Sequence, residues 1–147
     1  MPGLWFLQAL GAAVMWGLGY VLSERLFKAG ISPAFFLIFL NLASVPAYVL
    51  FLGGAQGAAR SAGLLTGDAG LAAIALVAVG TFVAGNLLIF SAVMGKNAAV
   101  ANMVEVSFPL FTVLFAWALF REVQVTWTHA LGGLFVLSGV GIIYWKG

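Results

Sequence analysis

One carboxyl stands inside a long apolar run. Residues 97 to 120 carry a single charged side chain, Glu105. A charge near the centre of a bilayer costs roughly 2.5–3.5 kcal/mol even on a lenient scale, so a carboxyl kept there is expected to face protein or a wet cavity. Burial favours its protonated form and a bound cation favours its ionised form. A group pulled both ways can exchange a proton for a cationic substrate. The alternative is a protonated Glu105 that only hydrogen-bonds a neighbouring helix. Asn102, Glu105, Pro109 and Thr112 step by three, four and three, so they share one helix face. Pro109 has no N–H for the carbonyl one turn back, that of Glu105. Such openings are tolerated where backbone faces protein or water. The four read as a pocket wall, with Glu105 and Asn102 as substrate-binding or proton-coupling groups and Pro109 as a kink.

Other polar residues fall in apolar surroundings. Asn41, Ser44 and Tyr48 share a face, with Pro46 nearby as a second kink or gating position. Asn86 lies in the next apolar run. Trp16 and Tyr20 are spaced by four behind Gln8, and such a pair can contribute to a cation-accepting aromatic box or simply pack. Asn41 and Asn86, like Asn102, read as candidate polar groups of the substrate pocket, and each asparagine also suits hydrogen bonding between helices. Glu24 and Lys28 read as an exposed pair at a helix end. Arg121 and Glu122 read as a pair or as snorkelling groups at another, with Glu122 in a structural or gating role. His129 is the single histidine; it reads as interfacial and cannot make a metal site alone. There is no Gly-rich phosphate loop with Lys-Ser/Thr, no H-E-x-x-H and no G-x-S-x-G. With no cysteine, thiolate chemistry and disulfides are excluded. The expectation is a protein that is not an enzyme, with no cofactor and no metal.

The elements that position these groups follow from composition. The chain has 147 residues, 64% hydrophobic and 7% charged, with a mean hydropathy of +1.16. Soluble domains carry about 25% charged residues, so lipid must replace water around most of this chain. A span needs roughly 20 apolar residues. The charges at Glu24-Arg25, Lys28, Arg60, Asp68, Lys96, Arg121-Glu122 and Lys146 separate five such stretches. They predict an all-α polytopic membrane protein, one domain over 1–147, with helices near 4–23, 33–53, 69–93, 98–119 and 126–145. Ser32-Pro33 reads as an N-cap and first-turn proline, Asp68 as an N-cap, and Thr126 as a third. Gly95-Lys96-Asn97 is short enough to force an antiparallel hairpin. The link over 54–68, rich in Gly, Ala and Ser, reads as mobile. Trp5, Trp127, Tyr144 and Trp145 suit the membrane interface.

Small residues at Ala9, Ala13 and Gly17, at Gly80 and Ala84, and at Gly132, Gly133, Gly139 and Gly141 predict close helix contacts. Arg60 and Arg121 fall on the N-terminal side, against Arg25, Lys28, Lys96 and Lys146 opposite. That excess of Lys and Arg favours a cytoplasmic C-terminus in the cytoplasmic membrane. An asymmetry this small also permits insertion both ways. No charged n-region or cleavage site predicts a removable signal peptide. The scattered basic residues suit membrane lipid as a partner and no nucleic acid.

The stretch from Trp16-Gly17-Leu18-Gly19-Tyr20 to Gly30-Ile31-Ser32-Pro33 resembles the opening of an EamA domain, the repeat unit of the drug/metabolite transporter superfamily. Ala98 to Ala101, Pro109, Phe120-Arg121-Glu122 and the glycines from Gly132 to Gly139 resemble its closing pattern. The usual Leu-Gly-Glu reads here as Phe-Arg-Glu. The resemblance covers nearly the whole chain on loose, hydrophobic motifs. It implies one five-helix half of a ten-helix inverted-repeat transporter, hence a homodimer, antiparallel if the chain inserts both ways. It also implies a secondary transporter or exporter of small organic solutes, metabolite or drug. Two rivals stand beside that reading: a non-transporting subunit needing a different partner chain, and a lipid-linked sugar flippase.

Overall fold

The computed structural model describes residues 3–123 and 126–146. Its helices, in chain order, are α1 (Leu4–Lys28), α2 (Pro33–Phe51), α3 (Gly54–Gly67), α4 (Ala69–Gly95), α5 (Ala98–Glu105), α6 (Phe108–Phe120) and α7 (Trp127–Lys146). No strand occurs among the described residues. Five stretches are long and apolar enough to cross a membrane: Phe6–Lys28, Pro33–Phe51, Ala69–Gly95, Ala98–Phe120 and Trp127–Trp145. The protein is an all-α, multi-pass membrane protein.

The helix starts follow local chemistry. Ser32 Oγ accepts from the Phe35 N–H at 3.2 Å, with Pro33 in the first turn. Asp68 Oδ1 accepts from the N–H groups of Gly70 and Leu71 at 2.8 and 3.1 Å. Asn97 Oδ1 accepts from the Val100 N–H at 2.9 Å. Each satisfies amides that a helix start leaves without partners. Thr126 acts differently. Its hydroxyl lies 2.6 Å from His129 Nδ1, and the same ring nitrogen accepts the Thr126 N–H at 3.2 Å.

Two elements depart from the sequence expectation. The 54–68 link is the helix α3, entered through a tight turn with Gly53 at φ 78° and Gly54 at φ 67°. Its alanines favour helix, and all but two of its residues are exposed on this chain. The fourth span is two helices, α5 and α6, separated at Val106-Ser107.

The core sits at one membrane face, where α1 ends, α2 begins, α4 ends and α5 begins. Phe27, Leu37, Phe90, Val93, Ala98 and Ala101 form it, with Tyr20, Phe36 and Ile89 packed against it. Phe90 is its hub, 5.5 Å from Phe27 and Phe36 and 5.7 Å from Tyr20 between ring centres. The Phe27 and Phe36 contacts are edge-to-face, the arrangement aromatic quadrupoles favour. Glu24 fastens this end: its Oε2 accepts the Ala98 N–H at 2.7 Å while its other oxygen takes Lys28. Lys28 is exposed and Glu24 largely shielded. The pair is thus a clasp between α1 and the start of α5, beyond the simple helix-end pair that the four-residue spacing suggests.

Outside this core most described residues are exposed or half-buried on the single chain. The accessible surface is 11604 Å², against roughly 7,200 Å² for a compact monomer of this mass. Of the small residues singled out above, Gly133 marks a close contact within the chain. A Cβ there would fall 2.4 Å from Leu110 Cδ2, whereas Gly17, Gly80, Gly132, Gly139 and Gly141 have open space around them.

Candidate functional site

Tyr20 lies on the inner side of α1, its ring tilted against Phe90. That packing aims its hydroxyl across to α5, where it donates to Glu105 Oε1 at 3.1 Å. Residues 85 positions apart meet here, in the largest sequence separation of any side-chain hydrogen bond described. Glu105 is the last residue of α5, so its carboxyl sits at a helix C-terminus. The carbonyl ends of a helix carry partial negative charge and favour a cation beside them.

The break itself supplies acceptors. The Val106 N–H bonds the Asn102 carbonyl at 2.9 Å, and the Ser107 N–H turns to Val104 at 3.2 Å instead of Met103. The Ser107 hydroxyl donates to the same Val104 carbonyl at 2.8 Å. Pro109 has no N–H, and the Leu110 N–H bonds Ser107 at 3.0 Å instead of Val106. The carbonyls of Met103, Glu105 and Val106 are therefore off the helical ladder. Asn102, one turn before Glu105, keeps its Oδ1 buried, with no hydrogen-bond partner among the described residues. A buried acceptor left unpaired costs about 1–3 kcal/mol.

The remaining sequence-predicted residues do not join this cluster. Asn41 Nδ2 donates to the Leu37 carbonyl at 2.7 Å and Asn86 Nδ2 to the Phe82 carbonyl at 2.8 Å. Both are satisfied on their own helices and exposed on this chain. Trp16 is 64% exposed, while Tyr20 is engaged with Phe90 and Glu105, so the two do not form a box within one chain. Pro46 sits inside α2, which runs on through it to Phe51. Pro109 lies at the start of α6, where a proline is tolerated. Glu122 follows Arg121, whose φ of 59° ends α6 in a left-handed turn. The Glu122 N–H returns to the Ala116 carbonyl at 3.2 Å, and the Arg121 guanidinium lies 5.2 Å from the centre of the Trp117 ring. The family glycine at this position thus coincides with a left-handed residue, which explains why a glycine suits it.

Two features were not in the sequence reading. One is the interruption between α5 and α6 at Val106-Ser107, where both residues keep right-handed helical dihedrals but the hydrogen bonds tighten to i→i+3, and for which Pro109 is the available signal. The other is an apolar groove of about 680 Å³ between α5 and α7, lined by Val100, Val104, Leu137, Val140 and Tyr144 among others. At about 100° per residue, Val100 and Val104 lie on the side of α5 away from Asn102 and Glu105. His129 lines a smaller groove with Leu110 and Gly133. Among the described residues no group of three or more His, Cys, Asp or Glu is placed to hold a metal ion.

Comparison with known families matches residues 3–145 to the EamA-like transporter family. No curated protein and no solved structure matches the chain.

Proposed function

The chain belongs to the EamA-like transporter family, a membrane transporter family for small solutes, and from that premise we propose that it is a secondary transporter of small organic solutes in the cytoplasmic membrane. It works as a homodimer by alternating access, with Glu105 as the coupling carboxyl. The observation that carries this reading is the Tyr20–Glu105 hydrogen bond at a helix broken within the membrane. Discontinuous helices near the midplane are where secondary transporters build their sites.

The dimer rests on a second observation. Asn41 and Asn86 lie well inside their spans and are exposed on the single chain. Polar side chains at that depth face protein or water rather than lipid. A second five-helix unit against the open side would cover them and give Glu105 a counterpart across the interface. The same exposed surface would suit a different partner chain, which keeps the accessory-subunit reading as the rival.

The test uses vesicles reconstituted with the purified protein and loaded with a uniformly ¹³C-labelled extract of small metabolites. Mass spectrometry follows which labelled solutes leave. A defined subset is expected to leave these vesicles and remain in protein-free ones. Identical retention in both would count against transport.

A further inference from the structure

The break between α5 and α6 leaves several oxygen acceptors without helical partners within the five residues from Asn102 to Val106, which include one carboxyl. We infer that it is a binding site for a sodium-sized monovalent cation, held by the Glu105 carboxylate, Asn102 Oδ1 and the freed carbonyls at the break.

The donor count carries the argument. Asn102 Oδ1 is buried and unpartnered, and the carbonyls of Met103, Glu105 and Val106 have lost their helical amides to shorter turns or to Pro109. The donor that reaches the cluster is the Tyr20 hydroxyl, already given to Glu105 Oε1. A proton on Glu105 would satisfy one acceptor. A hard cation satisfies several oxygens at once. It also sits at the C-terminal end of α5, where the helix dipole favours positive charge.

The charge selects valence. Glu105 is the one charged residue between 97 and 120, so one positive charge leaves the site neutral. A divalent ion would leave a net charge in the membrane, at high cost. The groove between α5 and α7 lies on the side of α5 away from Glu105, so it is not part of this site. Unwound carbonyls and half-helix C-termini are the usual partners of coupling ions in transporters. The site stands on its own geometry, and its use as a coupling site rests on the transport reading above.

The test is thermal unfolding of the purified full chain in detergent, in sodium chloride, methylammonium chloride or choline chloride at equal ionic strength. Retention of ²²Na⁺ is measured on the same samples. Sodium is expected to raise the melting temperature above that in choline. Asn102→Ala should weaken sodium's half-saturation by ~10- to 100-fold, the loss of one contact to a charged group. Glu105→Gln should remove the sodium effect, and Thr81→Ala should keep it. Retention of ²²Na⁺ by the unsubstituted protein decides the matter if a variant fails to fold. Equal melting in sodium and choline with no retained ²²Na⁺ overturns the site. Stabilisation by methylammonium alone overturns the ion and makes this an amine site. Loss of transport in Glu105→Gln, with no sodium binding by the unsubstituted protein, would leave the transport reading standing and this inference fallen. Sodium binding by the unsubstituted protein that Glu105→Gln abolishes, with normal transport in that variant, would do the reverse.

Discussion

Glu105→Gln is expected to reduce solute transport to the level of protein-free vesicles while leaving membrane insertion intact. The substitution keeps the shape of the side chain and an oxygen that can accept the Tyr20 hydroxyl. What it removes is the charge, and with it the ability to bind and release a cation or proton. A neutral amide is also cheaper to hold in a bilayer than a carboxylate, so in choline chloride, without sodium, the variant should melt no lower than the parent. Glu105→Asp keeps the charge but draws it back by one methylene from a partner at 3.1 Å, and partial transport is expected. Vesicle uptake and melting temperature, measured on the same preparations, check both. Unchanged transport in the glutamine variant would remove Glu105 from the mechanism.

The largest effect on stability is expected at Phe90. Its ring meets Tyr20, Phe27 and Phe36 with centres 5.5 to 5.7 Å away, and it is 7% exposed. In lipid, moving an apolar side chain from protein to solvent gains little, so packing must hold the helices together. Each aromatic pair adds about 0.5–1.5 kcal/mol beyond the area it buries, and a Phe-to-Ala cavity adds its own cost. Phe90→Ala should therefore lose ~2–4 kcal/mol of stability. Phe90→Leu, which refills most of the volume, should lose less. Transport should fall with Phe90→Ala even in protein that remains folded, because Tyr20 loses the wall that aims it at Glu105. Denaturant unfolding in mixed detergent micelles checks the first effect. A change below about 0.5 kcal/mol, the ordinary spread for surface substitutions, would contradict it.

The features legible in the sequence are those that local chemistry controls. The lengths of the apolar runs gave the spans. Ser32-Pro33 and Asp68 marked helix starts because their caps act within three residues. Glu105 and Pro109 drew notice because both are costly in a membrane helix. Pro109 supported an opened carbonyl, yet its spacing could not say that Ser107 and Leu110 would also turn their amides aside. The α3 helix was hidden by its glycines, which lower helix propensity, although its alanines raise it. The Tyr20–Glu105 bond was illegible as a pair, since it depends on how α1 rotates against α4 and α5. Trp16 lies one turn from Tyr20 on α1, yet it is exposed while Tyr20 packs against Phe90, a difference set by where α4 meets α1. Glu24 misled for the same reason: Lys28 is its neighbour along the helix, but Ala98 reaches it only through the fold.

The central claim is that two copies of this chain make one transporter, each contributing Glu105. Mixing tests it most directly. Parent and Glu105→Gln chains are unfolded together, refolded in defined ratios and reconstituted, and transport is measured at each ratio. If every symmetric dimer needs both carboxyls, an equal mixture keeps about one quarter of the parental activity, because about one pair in four holds two intact chains. Retention of about half at equal mixing, in proportion to the parent chains present, would mean that each chain acts alone and would contradict the account.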